Sequence, residues 1–200
     1  MNKAELLEYL KSRGFSEKII NAFDKVKRED FILKNMKEYA YENMPLLIGH
    51  DQTISQPHTI AFMLNLLNPK EGQKILEIGS GSGYVLALMS EITNHSEIYG
   101  IEIIKELVDK SKKALSKYEN ITVINANGFN GLPDKAPFDR ILISASASEI
   151  PEHLYYQLND LGIIVASVKD SIFQIKKEKG KITKKEFPGF AFVPLIEDKI

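Results

Sequence analysis

The stretch that most constrains this chain is Ile75-Leu-Glu-Ile-Gly-Ser-Gly-Ser-Gly-Tyr84, where an apolar run meets three glycines at alternate positions. Residues 74–78 read as a buried strand and residues 84–92 as a helix. Between them the backbone must turn sharply, and glycine permits this with no Cβ between the chain and a ligand. A buried strand, a glycine turn and a helix in that order imply an α/β architecture built on a parallel sheet.

The rest of the chain after Gly72 repeats the alternation. Strands are expected at 98–101, 121–125 and 140–144, and helices at 105–115 and 151–158, the latter opened by Pro151 at a tolerated first-turn position. Strands at 162–168, 172–177 and 190–195 follow without helices, and the hairpin-like 177–181 segment suggests an antiparallel edge. The sum is a mostly parallel twisted sheet with right-handed crossovers and helices on both faces. Before Gly72 the texture differs. Leu6, Leu7 and Leu10 mark a helix over 3–13 that stops at Gly14, and Ser16 opens a second that buries Ile19, Ile20, Phe23 and Val26. Residues 30–56, punctuated by Pro45, Gly49 and Pro57, have no periodicity; long ordered loops of this kind often serve as lids. A third helix is expected over 58–67. The chain is read as a single domain over 1–200, with a helical and lid segment at 1–68 and the sheet at 69–200.

Charge and composition exclude several classes. With 26 basic and 27 acidic side chains the net charge is -1, which provides no footprint for nucleic acid or an anionic membrane. There is no cysteine, so disulfides, thiolate metal sites and thiol nucleophiles are all excluded. His50, His58, His95 and His153 show no ligand spacing, so no metal site is expected. No run approaches the roughly 20 apolar residues of a membrane span, and Glu5 and Glu8 interrupt any signal-peptide reading of the N-terminus. The expectation is a monomeric, cytoplasmic enzyme.

Glu102 stands 19 residues beyond Gly83, at the end of the next strand, where an acidic side chain can bind both hydroxyls of a ribose. A dinucleotide or S-adenosylmethionine would suit such a loop. The dinucleotide fingerprint requires a small residue where Tyr84 stands. Glu77 can face the ammonium group of a methionine moiety, whereas an anion beside a pyrophosphate would gain nothing. The glycine spacing, Glu77 and Glu102 together favour S-adenosylmethionine. A third contact is expected at Asn127-Gly128, with the Asn127 amide oxygen accepting from an adenine amino group and Gly128 allowing close approach; the alternative is a simple Asn-Gly turn.

The segment Gly49-His-Asp-Gln-Thr-Ile-Ser-Gln-Pro-His58 is polar for a chain about to enter a buried helix. It offers Gln52, Thr53, Ser55 and His58 near a helix start whose N–H groups suit an anion. The plainer alternative is that Thr53 or Ser55 only caps the helix and that His58 is structural.

Gln52-Thr-Ile-Ser-Gln-Pro-His58 resembles the signature of the protein-L-isoaspartate O-methyltransferases, which repair damaged aspartyl and asparaginyl sites. The resemblance extends over nearly the whole chain, through Val26-Lys-Arg-Glu-Asp-Phe31, Ala40-Tyr-Glu-Asn-Met-Pro-Leu46, the 76–84 loop, Ala136-Pro-Phe-Asp139, Ile150-Pro151, Gln157-Leu158 and Phe192-Val-Pro-Leu195. It implies a Rossmann-like S-adenosylmethionine-dependent methyltransferase fold, with Ser55 as the active-site residue and Thr53, Ile54 and His58 lining the pocket. Glu77, Gly79, Gly81, Glu102, Asn127 and Gly128 would carry the cofactor, with Ser80, Ser82, Gly83, Tyr84 and Ile103 completing its loop and flank. The chain departs from the family at Asn127, where Asp is usual, around Leu161 and Ala166-Ser167, and at Ile196.

The implied reaction moves a methyl group to the α-carboxylate of an L-isoaspartyl residue in a damaged protein or peptide, leaving S-adenosyl-L-homocysteine. A carboxylate is already ionised at neutral pH, so no general base is needed. Two rival readings stand beside this one: a methyltransferase of the same sheet acting on a small molecule or RNA, and an isoaspartyl-recognition protein that binds the cofactor without turnover.

Overall fold

The computed structural model of the chain describes residues 1–94 and 96–190. Helix α1 (Lys3–Ser12) starts on a capping box, in which the Asn2 side chain accepts from the Glu5 N–H and the Glu5 carboxylate accepts from the Asn2 N–H. It ends before Gly14, whose φ is 80°. Helix α2 (Glu17–Lys25) buries Ile19, Ile20, Ala22 and Phe23. The expected irregular segment 30–56 is more structured than its sequence suggested. A 3-10 turn at Arg28–Asp30 leads into it, and it holds another at Lys34–Tyr39 and a hairpin of β1 (Leu46–Gly49) and β2 (Gln52–Ile54). His50 and Asp51 turn that hairpin with φ of 55° and 57°.

Helix α3 (Pro57–Leu67) then leads to β3 (Lys74–Ile78), α4 (Tyr84–Thr93), β4 (Glu97–Glu102), α5 (Lys105–Ala114), β5 (Ile121–Asn125) and β6 (Phe138–Ala147). A short α6 (His153–Tyr156) precedes β7 (Leu158–Val168), β8 (Ser171–Glu178) and β9 (Lys181–Pro188). Strand β8 matches the strand expected at 172–177, whereas its neighbours differ from expectation. The anticipated 151–158 helix shrinks because Leu158 already opens β7. Strand β9 occupies residues that carry no alternation; most of its side chains are exposed, as suits a lysine-rich edge that discourages further pairing. The strand expected at 190–195 falls beyond the described residues except for Phe190, which stacks on Phe62 with centroids 5.4 Å apart.

The seven-stranded sheet runs β5-β4-β3-β6-β7-β8-β9. Strands β3 to β7 pair in parallel, and β8 and β9 join antiparallel. The chain travels outward from β3 to β4 and β5, then returns to place β6 on the other side of β3. Right-handed crossovers on the outward path place α4 and α5 on one face, and reversal sends the later connections to the other. The first face is thick: Leu6, Leu10, Phe23, Leu64, Leu86 and Leu107, from α1 to α5, pack over Ile75, Ile98, Leu142 and Val165. The second is thin, with Leu154 of α6 and partly buried loop residues such as Leu132 and Ile150 over Leu76, Ile78, Ile143 and Ile164. No described helix is long and apolar enough to cross a membrane.

Candidate active site

In an open parallel sheet, ligands bind beyond the carboxyl ends of the strands where the strand order reverses. Here that place lies between β3 and β6. Gly79 follows β3 with φ of 77°, and a Cβ there would stand 3.0 Å from the Ala145 Cβ. Only glycine satisfies both the turn and the close approach of β6. The loop is fastened to β4: the N–H groups of Gly79 and Ser80 both donate to the Ile101 carbonyl, at 2.9 and 3.0 Å. Glu102, 7% exposed, accepts from the Gly81 N–H and the Ile104 N–H, each at 2.9 Å. Its carboxylate therefore shapes the loop as well as facing the cavity, and a carboxylate has acceptor capacity beyond two hydrogen bonds.

A cleft of about 730 Å³ opens at this point. From the expected set, Thr53, Ser55, His58, Gly79, Gly81, Glu102, Ile103, Asn127 and Gly128 line it. A smaller cavity of about 60 Å³ shares Thr53, Ser55, Gly79 and Gly81 with it and adds Ile54, Glu77, Ser80, Ser82 and Tyr84. Gly83 has a different part: it occupies the cap position of α4 with φ of 84°.

Glu77 lies on the face of β3 that also presents Ile75, by the period of two. It is 1% exposed. Ser144 Oγ donates to Glu77 Oε1 at 2.6 Å, while Oε2 is buried with no hydrogen-bond partner among the described residues. Burial pushes this carboxyl up to about 8, against the hydrogen bond from Ser144 and with a further upward push from Glu102. A buried carboxyl with one unsatisfied oxygen beside a cavity is suited to a cation that arrives with the ligand.

Tyr84 and His58 sit differently from a simple pocket lining. The Tyr84 ring is 2% exposed and packs against Phe23 and Phe31, with centroids 6.1 and 5.4 Å away; its side chain ties α4 to the N-terminal segment. The His58 ring rests against Tyr9 and Phe15 at 6.0 and 5.5 Å, and burial, aided by Arg13, lowers its pKa. It is a neutral wall at physiological pH. Neither Thr53 nor Ser55 caps α3: Gln56 holds the cap position without a side-chain bond, and Pro57 follows it. The His58 N–H is instead accepted by Asn43 Oδ1 at 2.9 Å.

Asn127 Oδ1 accepts from the Phe129 N–H at 2.9 Å, and its Nδ2 is buried without a hydrogen-bond partner among the described residues. The oxygen expected to meet an adenine amino group is already engaged once, leaving its second lone pair. A Cβ on Gly128 would come within 2.5 Å of Ile78 Cγ2, so the loop lies tight on the end of β3. Two helpers were missed in the sequence. Ser144 stands two residues beyond Leu142, the register partner of Glu77, and Asn125 Nδ2 donates to the Glu102 and Ile103 carbonyls at 2.9 Å each. Both read as ordinary strand residues until the register is known.

The family model described as protein-L-isoaspartate(D-aspartate) O-methyltransferase matches residues 1–200. A protein-L-isoaspartate O-methyltransferase of Methanococcoides burtonii is 43% identical over 198 residues, covering 96% of this chain and 98% of the relative. A Plasmodium falciparum protein described as a protein-L-isoaspartate O-methyltransferase, solved with S-adenosyl-L-homocysteine, superposes with a TM-score of 0.87 at 31% identity. That match covers 99% of this chain and 100% of the other. A second structure of that name gives a TM-score of 0.90 at 26% identity; the match covers 96% of this chain and 65% of that longer one. With the sheet order, the cleft at its reversal and these likenesses agreeing, the chain belongs to the protein-L-isoaspartate(D-aspartate) O-methyltransferase family.

Proposed function

We propose that this cleft transfers a methyl group from S-adenosylmethionine to the α-carboxylate of L-isoaspartyl residues in damaged proteins and peptides. The observation that carries this reading is convergence: the 52–58 segment and the glycine loop, far apart in sequence, line one cavity. The residues present fit the cofactor. Glu77 Oε2 awaits a cation, Gly79 leaves no room for a Cβ, and Glu102 and Ile103 flank the cleft where a ribose and an adenine would lie. S-adenosylmethionine supplies an electrophilic methyl group on a sulfonium.

The protein's own contribution is to bind and orient. Glu77 pairs with the ammonium end, Glu102 with the ribose, and the 127–128 turn borders the base. Ser55 donates a hydrogen bond to the isoaspartyl carboxylate and holds it in line with the methyl group. No proton has to be removed, which agrees with the neutral, ring-packed His58. Correct alignment of two reactants is worth roughly 7–11 kcal/mol, and a dry cleft strengthens the attraction between carboxylate and sulfonium. Residues 1–68 act as the substrate side and 69–200 as the cofactor side of one working unit. Cytoplasmic residence and a monomeric state belong to the same proposal, to be checked by cell fractionation and light scattering.

The test is methyl transfer from labelled S-adenosylmethionine to an isoaspartyl peptide beside its aspartyl twin. Label is expected on the isoaspartyl peptide only. Label on both alike, or on neither, removes the repair assignment.

A further inference from the structure

Arg28 is fully buried in the 3-10 turn before the lid, and its guanidinium faces carbonyls. Nη1 donates to the Ala40 and Glu42 carbonyls at 2.8 and 3.2 Å. Nη2 donates to the Met44 and Ser55 carbonyls at 3.0 and 3.1 Å. Among the described residues it forms no ion pair, and Glu29 beside it accepts from the Tyr41 hydroxyl. Burial lowers its pKa to about 10, so it stays charged at neutral pH. A buried cation without an anion is a poor way to gain stability, because an apolar side chain of similar size commonly does as well or better. A planar fork does, however, fix the relative positions of the groups it binds. The groups fixed here are three lid carbonyls and the carbonyl of Ser55.

A second tie runs between the same two segments. Asn43, between the carbonyls that Arg28 holds, accepts the His58 N–H through Oδ1 at 2.9 Å. Lid and substrate segment are thus joined on both sides of Pro57. The two ties leave the Ser55 side chain on the wall shared by both cavities.

We propose that Arg28 and Asn43 are positioning residues that clamp the 40–44 segment onto the 55–58 turn and set where Ser55 meets the isoaspartyl carboxylate. The inference rests on the role given to Ser55 above. Neither residue touches the reacting atoms; both act through Ser55. A misplacement near 1 Å in such a site costs up to about a hundredfold in rate.

The experiment is a double-mutant cycle on the full-length enzyme. Asn43→Ala should lower kcat/KM for an isoaspartyl peptide by about tenfold, with the S-adenosyl-L-homocysteine dissociation constant by calorimetry unchanged within about twofold. Asn43→Asp keeps an acceptor for the His58 N–H and should restore most of the activity. In a Ser55→Ala background, itself impaired, Asn43→Ala should cost less than about twofold, because its effect has nothing left to act through. Arg28→Lys, which cannot bridge four carbonyls, should follow the same pattern; if it does not fold, the Asn43 series decides alone. An equal fractional loss in both backgrounds, an undiminished Asn43→Ala enzyme, or a parallel loss of S-adenosyl-L-homocysteine affinity overturns the clamp and leaves the Ser55 reading in place. A fully active Ser55→Ala enzyme removes both.

Discussion

Glu77 shows how one buried group can make a fold sensitive to pH. Its carboxyl rises from the ordinary 4.5 to about 8 chiefly through burial, so the folded protein holds a proton there that the unfolded chain releases. Stability from this group is complete below pH 4.5 and is lost as pH climbs toward 8, since the native state binds more protons across that window. Between pH 5 and pH 8 the free enzyme should lose about 3 kcal/mol on this account, as an order of magnitude. Glu77→Gln keeps an acceptor for the Ser144 hydroxyl but cannot ionise. Denaturant unfolding of the two proteins at pH 5 and pH 8 should therefore show a smaller pH loss in the variant, together with weaker S-adenosyl-L-homocysteine binding. Equal pH dependence would mean that Glu77 ionises freely in the folded state. The acidic residue before the glycines was legible in the sequence, and its pairing with an ammonium group is part of the proposed function. Its proton and its Ser144 partner were not legible, because both depend on the register of β6 against β3.

At the scale of elements, the glycine loop is held between two strands and a helix, and Gly79 is where it passes against β6. An alanine there must adopt φ near 77° and bring a Cβ to 3.0 Å from the Ala145 Cβ. Left-handed backbone costs roughly 1–2 kcal/mol for a non-glycine residue, and β6 would have to shift as well. Gly79→Ala should lose that much stability and bind S-adenosyl-L-homocysteine at least about tenfold more weakly. Gly14→Ala is the control: φ is 80° there, but nothing lies within 4 Å of the added Cβ, so stability should fall with binding intact. Calorimetry on both variants separates strain from loss of the site; equal binding by both would remove Gly79 from it. Elements with a strong internal pattern, such as β3 and β5, were readable from sequence to the residue. The β1–β2 hairpin was not, because four residues in which Leu46 and Ile48 are buried and Leu47 exposed make too short an alternation. Strand β9 was hidden for the opposite reason: its lysines put polar groups on both faces, so it has no apolar period to find.

For the molecule as a whole, the notable point is that the N-terminal 68 residues share the core of the sheet. Leu6, Leu10, Phe23, Leu64 and Leu67 belong to the same buried cluster as Ile75, Leu142 and Val165, and Tyr84 of α4 sits between Phe23 and Phe31. The sequence shows a change of texture at Gly72; only packing shows that residues on both sides of it share one buried cluster. Shared burial predicts shared unfolding. Hydrogen exchange in rising denaturant should find the slowest amides of α1 to α3 opening with the same free energy as those of β3, β4 and β6. Saturation with S-adenosyl-L-homocysteine at about a hundred times its dissociation constant should raise both sets by about 2.7 kcal/mol. The substrate side would then feel a ligand held mainly by the cofactor side. Earlier opening of α1 to α3, or protection that rises only in the sheet, would divide the chain into two units and break that coupling. Equal protection would mean that the lid carrying Asn43 and the loop carrying Gly79 are set in place by a single folding event.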